Sequence, residues 1–195
     1  MKILVDCGAN KGQGFGVLTK KLNIDNSWKV ILFEPNIQCV EILTNQNFGE
    51  HVTIFQKAVF DKNTKLEFKT SKTNNTSKCG TLHSEYYGSR SGAYIHEGGW
   101  KDSSTVVDCV DIVDIIHPLV GNEIYLKLDI EGSEYEVLER LINTSLIHHI
   151  KTLYVEFHDR YMKEDYLVKY NIFQRQNDII NYIQNNSIVE LNFWD

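Results

Sequence analysis

The sequence predicts a single α/β domain of 195 residues, built on a mostly parallel twisted sheet with helices on both faces. Three observations predict it. Strand-like and helix-like hydrophobic patterns alternate along the chain. A glycine-rich turn follows the first apolar run. Carboxylates stand at strand ends, where doubly wound sheets carry their ligands. The length suits one domain with a substantial core and is too short for two ordinary ones.

Residues 3–7 read as the first strand and residues 16–22 as a helix. Residues 29–33 and 37–43 repeat that pair. Residues 51–59 alternate well enough for a third strand, and residues 66–68 form a short extra one. Residues 105–110 are again strand-like, residues 111–116 form a short helix closed by Pro118, and residues 123–128 form a strand. Residues 133–141 carry Val137, Leu138 and Leu141 at helical spacing, with an acidic first turn that complements the helix dipole. Residues 152–157 form a strand and residues 166–183 one long helix, whose stripe Tyr166, Tyr170, Phe173 is assigned to the core. Residues 188–193 make a final edge strand. Both prolines, Pro35 and Pro118, sit where an element ends or begins.

Residues 70–104 differ: they are polar, carry five glycines and show no apolar period. A long irregular segment in a compact domain reads as a binding loop. Its Tyr86, Tyr87, Tyr94 and Trp100 suit stacking on sugar faces, and His83, Arg90 and His96 are candidate acceptor contacts.

The composition, 42% hydrophobic and 24% charged, is that of globular proteins. A net charge of −6 argues against a nucleic-acid partner, which would need surplus Lys and Arg. No apolar run is long enough to span a bilayer. The apolar stretch before Asp6 is too short for a signal-peptide core. Cys7, Cys39, Cys79 and Cys109 are widely spaced, which speaks against a disulfide framework or zinc site. A cytoplasmic home is expected.

The first strand ends in Asp6-Cys7-Gly8-Ala9-Asn10-Lys11-Gly12-Gln13-Gly14. Glycines here let the backbone approach a ligand, and the next helix presents its N-terminus. The dinucleotide pattern G-x-G-x-x-G is absent. Asp6 would repel a pyrophosphate and suits a cationic or amine-bearing ligand. Glu34 ends the second strand 22 residues after Gly12, where a carboxylate accepts the hydroxyls of an adenosine ribose. Pro35 stops that strand. Together Asp6 and Glu34 favour S-adenosylmethionine over NAD.

Three blocks, Val5-Asp6-Cys7-Gly8-Ala9-Asn10-Lys11-Gly12, Phe33-Glu34-Pro35-Asn36 and Leu126-Lys127-Leu128-Asp129-Ile130-Glu131-Gly132-Ser133-Glu134, resemble in order and spacing the FkbM family of class I methyltransferases. The resemblance spans residues 3 to about 158. It implies a Rossmann-like fold, S-adenosylmethionine as methyl donor, and methylation of hydroxyls on sugars or natural products. By motif position it places Asp6, Gly8, Ala9, Asn10 and Gly12 along the methionine side and Glu34, with Pro35, at the ribose. It sets Ala58 and Val59, ending the third strand, against the adenine, and Asp129 near the sulfonium and acceptor. Compared with that family the sequence begins directly at the first strand and ends early, which leaves room for a partner subunit such as a second copy.

Asp129 and Glu131 follow one strand; Glu156, Phe157 and His158 end the next. Adjacent strands lie about 5 Å apart, so these groups can converge. Methyl transfer is an in-line displacement that needs an aligned acceptor. A hydroxyl becomes a good nucleophile once a base draws off its proton, an effect of about 10²- to 10⁴-fold. His158 is the preferred base because imidazole titrates near neutrality, with Asp129 close behind. Glu131 also suits the following helix N-terminus. Alternatively, Mg²⁺ or Mn²⁺ bridges Asp129, Glu156 and His158 to acidify the hydroxyl. Two readings from other classes stand beside the enzyme: a non-catalytic Rossmann-like binding module or subunit of a larger complex, and an NAD-binding oxidoreductase.

Overall fold

The computed structural model describes residues 1–70, 80–83 and 103–194. The strands of the first half are β1 (Lys2–Cys7), β2 (Lys29–Phe33), β3 (Val52–Phe55), β4 (Ala58–Phe60) and β5 (Thr64–Thr70). They are followed by β6 (Gly80–Thr81), β7 (Ser103–Asp111), β8 (Glu123–Leu128), β9 (Ile150–Val155) and β10 (Glu190–Phe193). The α-helices are α1 (Gln13–Leu22), α2 (Ile37–Thr44), α3 (Ile112–Ile116), α4 (Glu134–Asn143), α5 (Glu164–Lys169) and α6 (Ile172–Asn186).

Six strands form a parallel sheet in the order β10-β9-β8-β1-β2-β3. This is the mostly parallel, Rossmann-like α/β architecture the sequence predicts. Because successive side chains alternate across a strand, each face of the sheet carries its own apolar set. Leu4, Val30, Leu32 and Tyr125 pack on Phe15 and Leu18 of α1 and Leu43 of α2. On the other face Ile3, Val5, Ile31, Leu126 and Leu153 pack on α3, on Val137, Leu138 and Leu141 of α4, and on Ile179 and Ile183 of α6. Burying a side chain of this size contributes about 1.5–3 kcal/mol. The chain leaves β1 toward β2 on one side and reaches β8 on the other, so the strand order reverses at β1 and opens a crevice at its carboxyl end.

The structure corrects four sequence-based expectations. Residues 51–59 are not one strand. The amide of Lys57 turns back onto the Phe55 carbonyl at 2.9 Å, and β4 leaves for a second sheet ordered β4-β7-β5-β6. The short extra strand is the longer β5, which pairs antiparallel with β7 from Thr64↔Cys109 to Thr70↔Ser103. The long helix is broken by Asn171, which takes a left-handed φ of 50° between α5 and α6. Tyr166 is buried, but Tyr170 and Phe173 are 41% and 55% exposed, so the stripe is not core. Finally, part of the proposed loop is regular: Thr70 belongs to β5, β6 pairs with it, and β7 starts at Ser103. Tyr86, Tyr87, Arg90, Tyr94, His96 and Trp100 lie outside the described residues. Among the described residues, no helix is long and apolar enough to cross a membrane.

Candidate active site

The loop after β1 is stitched to its neighbours on both sides. The amides of Gly8 and Ala9 both donate to the Phe33 carbonyl at the end of β2, each at 3.0 Å. Gly8 has φ +81°, and a Cβ there would lie 1.8 Å from the carbonyl oxygen of Asp129, beyond the end of β8. Only glycine permits that approach. Asn10 (φ 50°) and Gly12 (φ 90°) then turn the chain into α1.

Glu34 closes this loop from the tip of β2. Its Oε2 accepts from the Asn10 amide and its Oε1 from the Asn36 amide, both at 2.8 Å. Burial pushes its carboxyl up to about 7, against the pull of those two amides. Each oxygen keeps a further lone pair for a ligand. Pro35 follows directly, as expected for a strand stop.

Asp6 is fully buried beside its register partner Lys127 on β8. Lys127 Nζ donates to Asp6 Oδ1 at 3.1 Å and to the Gly8 carbonyl at 3.3 Å, and lies 3.2 Å from Asp129 Oδ2. Burial pulls the ammonium pKa down, and Asp6 and Asp129 more than reverse it. The charge of Asp6 is thus met within the chain. The sequence argument that Asp6 waits for a cationic ligand overlooked Lys127, although a lysine inside a buried strand must find a counter-charge. Asp6 Oδ2 has no hydrogen-bond partner in the structure.

The loop after β8 is held by Glu134, the first residue of α4, which is fully buried. Its Oε1 accepts from the Ile130 amide at 2.8 Å and its Oε2 from the Gly132 amide at 3.0 Å. These bonds support the left-handed Glu131 (φ 53°) and Gly132 (φ 106°). Glu134 Oε1 also lies 3.0 Å from Nδ1 of His158, which is 2% exposed. His158 arrives from β9, whose end is tied to β8 by the Glu156 amide donating to the Leu128 carbonyl at 3.0 Å.

The other imidazole nitrogen, Nε2, faces three carboxylates: Glu131 Oε2 at 3.5 Å, Asp129 Oδ1 at 3.8 Å and Glu156 Oε1 at 3.9 Å. Arg160 donates to Glu156 Oε1 from the solvent side. Asp129, Glu131, Glu156 and His158 are therefore brought together as the sequence expected. The surroundings of His158 act on its imidazole in opposite senses. Burial lowers the imidazole pKa, but Glu134, Glu131 and Asp129 carry it well above its usual value. Burial raises the pKa of the Glu156 carboxyl.

Two other expectations are relocated. Ala58 and Val59 do not end the third strand; they begin β4 and are buried, Val59 in the core against α3 and α4 and Ala58 with Phe60 and Phe68. His83 is also buried. Its Nε2 lies 2.9 Å from Ser133 Oγ, and Thr81 Oγ1 donates to the Glu131 carbonyl at 2.8 Å, so this short segment props the loop beneath the cluster. Burial, with help from Arg175, lowers the His83 pKa to about 3, leaving it neutral. The sequence reading gave Lys127 no role and Glu134 only a place in an acidic first turn, although both stand inside the most distinctive block. Their signal was the cost of burying a charge.

The family model described as Methyltransferase FkbM domain matches residues 6–187. The fold is similar to that in the crystal structure of Methyltransferase FkbM from Methylobacillus flagellatus KT, with a TM-score of 0.54 and 17% sequence identity. That match covers 93% of this chain and 38% of the other, so the chain spans well under half the length of that protein. No curated protein matches.

Proposed function

The chain belongs to the FkbM methyltransferase family, and on that premise we propose that it transfers a methyl group from S-adenosylmethionine to a hydroxyl of a sugar, glycan or other small molecule. The observation that carries the reading is the contact between two loops. Gly8 of the glycine loop abuts the carbonyl of Asp129, so a ligand lying along that loop ends beside the carboxylates of Asp129, Glu131 and Glu156. Glu34 supports a donor site there, because its oxygens face the loop and retain acceptor capacity.

In the transfer, the acceptor O–H gives its proton to the carboxylate set, with Glu156 as the preferred acceptor. The oxygen forms a bond to the methyl carbon while the carbon–sulfur bond breaks. The sulfonium becomes the neutral thioether of S-adenosylhomocysteine, and the proton passes on to water. His158, anchored through Nδ1 on Glu134, holds its place among the carboxylates. A reducing compartment such as the cytoplasm fits the free, buried thiols of Cys7, Cys39 and Cys109.

A labelled-methyl transfer screen across nucleotide sugars, oligosaccharides and lipid-linked glycans tests the proposal. Label is expected on a hydroxyl of one acceptor class, as an alkali-stable ether. Label found on nitrogen, carboxylate or nucleic acid in place of hydroxyl overturns it.

A further inference from the structure

We propose that the cluster at the tips of β8 and β9 is a site for one divalent cation of the Mn²⁺ type, held by Nε2 of His158 and the carboxylates of Asp129, Glu131 and Glu156. The inference deepens the methyltransferase reading by adding a metal to its active site, although binding of the ion does not depend on that reading.

Two independent features carry it. The first is the spacing of the ligand atoms. One atom each from Asp129, Glu156 and His158 lies within 4.8 Å of the others, and Nε2 stands 3.5–3.9 Å from the three carboxylates. Those separations are long for hydrogen bonds, whose N···O distances run about 2.7–3.2 Å. They exceed only slightly the ligand-to-ligand edge of about 3–3.5 Å around an ion with bonds of about 2.1 Å. A small contraction closes the shell.

The second feature is the buried imidazole itself. At 2% exposure, its Nδ1 is committed to the fully buried Glu134, which the Ile130 and Gly132 amides hold in turn. Nε2 is thereby aimed at the carboxylates with its ring orientation fixed. A carboxylate behind the ring and an open nitrogen in front is the arrangement that orients metal-binding histidines. An ion at the centre of this set contacts all four groups. Lys127 lies on Oδ2 of Asp129, while Oδ1 of the same carboxylate is turned toward Nε2.

Three oxygens and one imidazole, with no thiolate, select a hard or borderline ion such as Mn²⁺. The imidazole binds it as the tautomer that keeps its proton on Nδ1 against Glu134 and offers the Nε2 lone pair. The bound ion supplies a Lewis acid that lowers the pKa of a hydroxyl brought to its open face.

The test uses the whole chain stripped with chelator and titrated with Mn²⁺ alone. Electron paramagnetic resonance follows the free ion, and spin-echo modulation probes the bound one. The expected result is one saturable Mn²⁺ per chain with modulation from a single imidazole nitrogen, and at least tenfold weaker binding in His158→Gln and Glu156→Gln. Absence of a saturable site overturns the proposal, and so does bound Mn²⁺ without nitrogen modulation. The nitrogen signal decides even where a variant fails to fold. S-adenosylhomocysteine titrated into the same samples separates the two readings: Mn²⁺ bound without the nucleoside leaves the metal site standing and removes the methyltransferase reading.

Discussion

Lys127 illustrates how a single side chain can settle the electrostatics of this site. Its ammonium is 1% exposed, yet it lies within 3.2 Å of both Asp6 and Asp129 and reaches the Gly8 carbonyl. Two strand ends and the glycine loop thus share one buried cation. Removing one partner of a buried ion pair leaves an uncompensated charge, at a cost of about 3–5 kcal/mol. Lys127→Met is therefore expected to lose about that much stability in urea unfolding. The double variant Lys127→Met/Asp6→Asn should recover a substantial part, because its remaining buried group is uncharged. A single variant within 1 kcal/mol of wild type would contradict the pairing. At this scale the sequence was legible where a residue's chemistry is visible from its type and place: Glu34 at a strand end, Asp129 after a strand, His158 after the next. It was not legible where the role is set by what lies across the sheet. Nothing in the spacing of Asp6 and Lys127, 121 positions apart, announces that they face each other.

At the scale of elements, the segment Gly80–His83 couples the second sheet to the cluster. β6 extends β5, Thr81 holds the Glu131 carbonyl, and His83 sits on Ser133 and against the Phe60 ring. His83 stays neutral in the folded chain because its pKa is lowered to about 3. In the unfolded chain it titrates near 6.5. Its favourable contribution is full above that pH and is lost as pH falls from about 6.5 toward 3, since only the unfolded chain then takes up the proton. Each pH unit in that window costs up to about 1.4 kcal/mol. His83→Gln lacks this proton uptake. Wild type should therefore lose about 1–2 kcal/mol more stability than the variant between pH 7 and pH 5. Parallel losses would show that His83 is not held neutral. Element types were largely readable from periodicity, but two boundaries were not. The 51–59 alternation continues through Lys57 although the chain changes sheets there, because both sheets bury the same kind of side chain. The break escaped because only two residues, Tyr170 and Asn171, separate α5 from α6, and the turn between them lies in the left-handed backbone of Asn171.

For the molecule as a whole, the parallel sheet reverses its strand order at β1 and so brings β1, β2, β8 and β9 to one edge with their carboxyl ends together. Glycine loop, Glu34 and acid cluster lie on those four ends, and the family match spans the same elements. This placement follows from the topology, which the alternation of strands and helices already implied. The second sheet did not, since its β4 and β7 pair across a sequence gap with no local signal. The central claim is that the loop closed by Glu34 is the binding site of a methyl donor. Isothermal titration with S-adenosylhomocysteine tests it most directly. One nucleoside should bind per wild-type chain, and Glu34→Ala should weaken it by about 1.5–3 kcal/mol, the value of a charged hydrogen bond. A folded wild-type chain that binds none, or a Glu34→Ala chain that binds as tightly as wild type, would contradict the account.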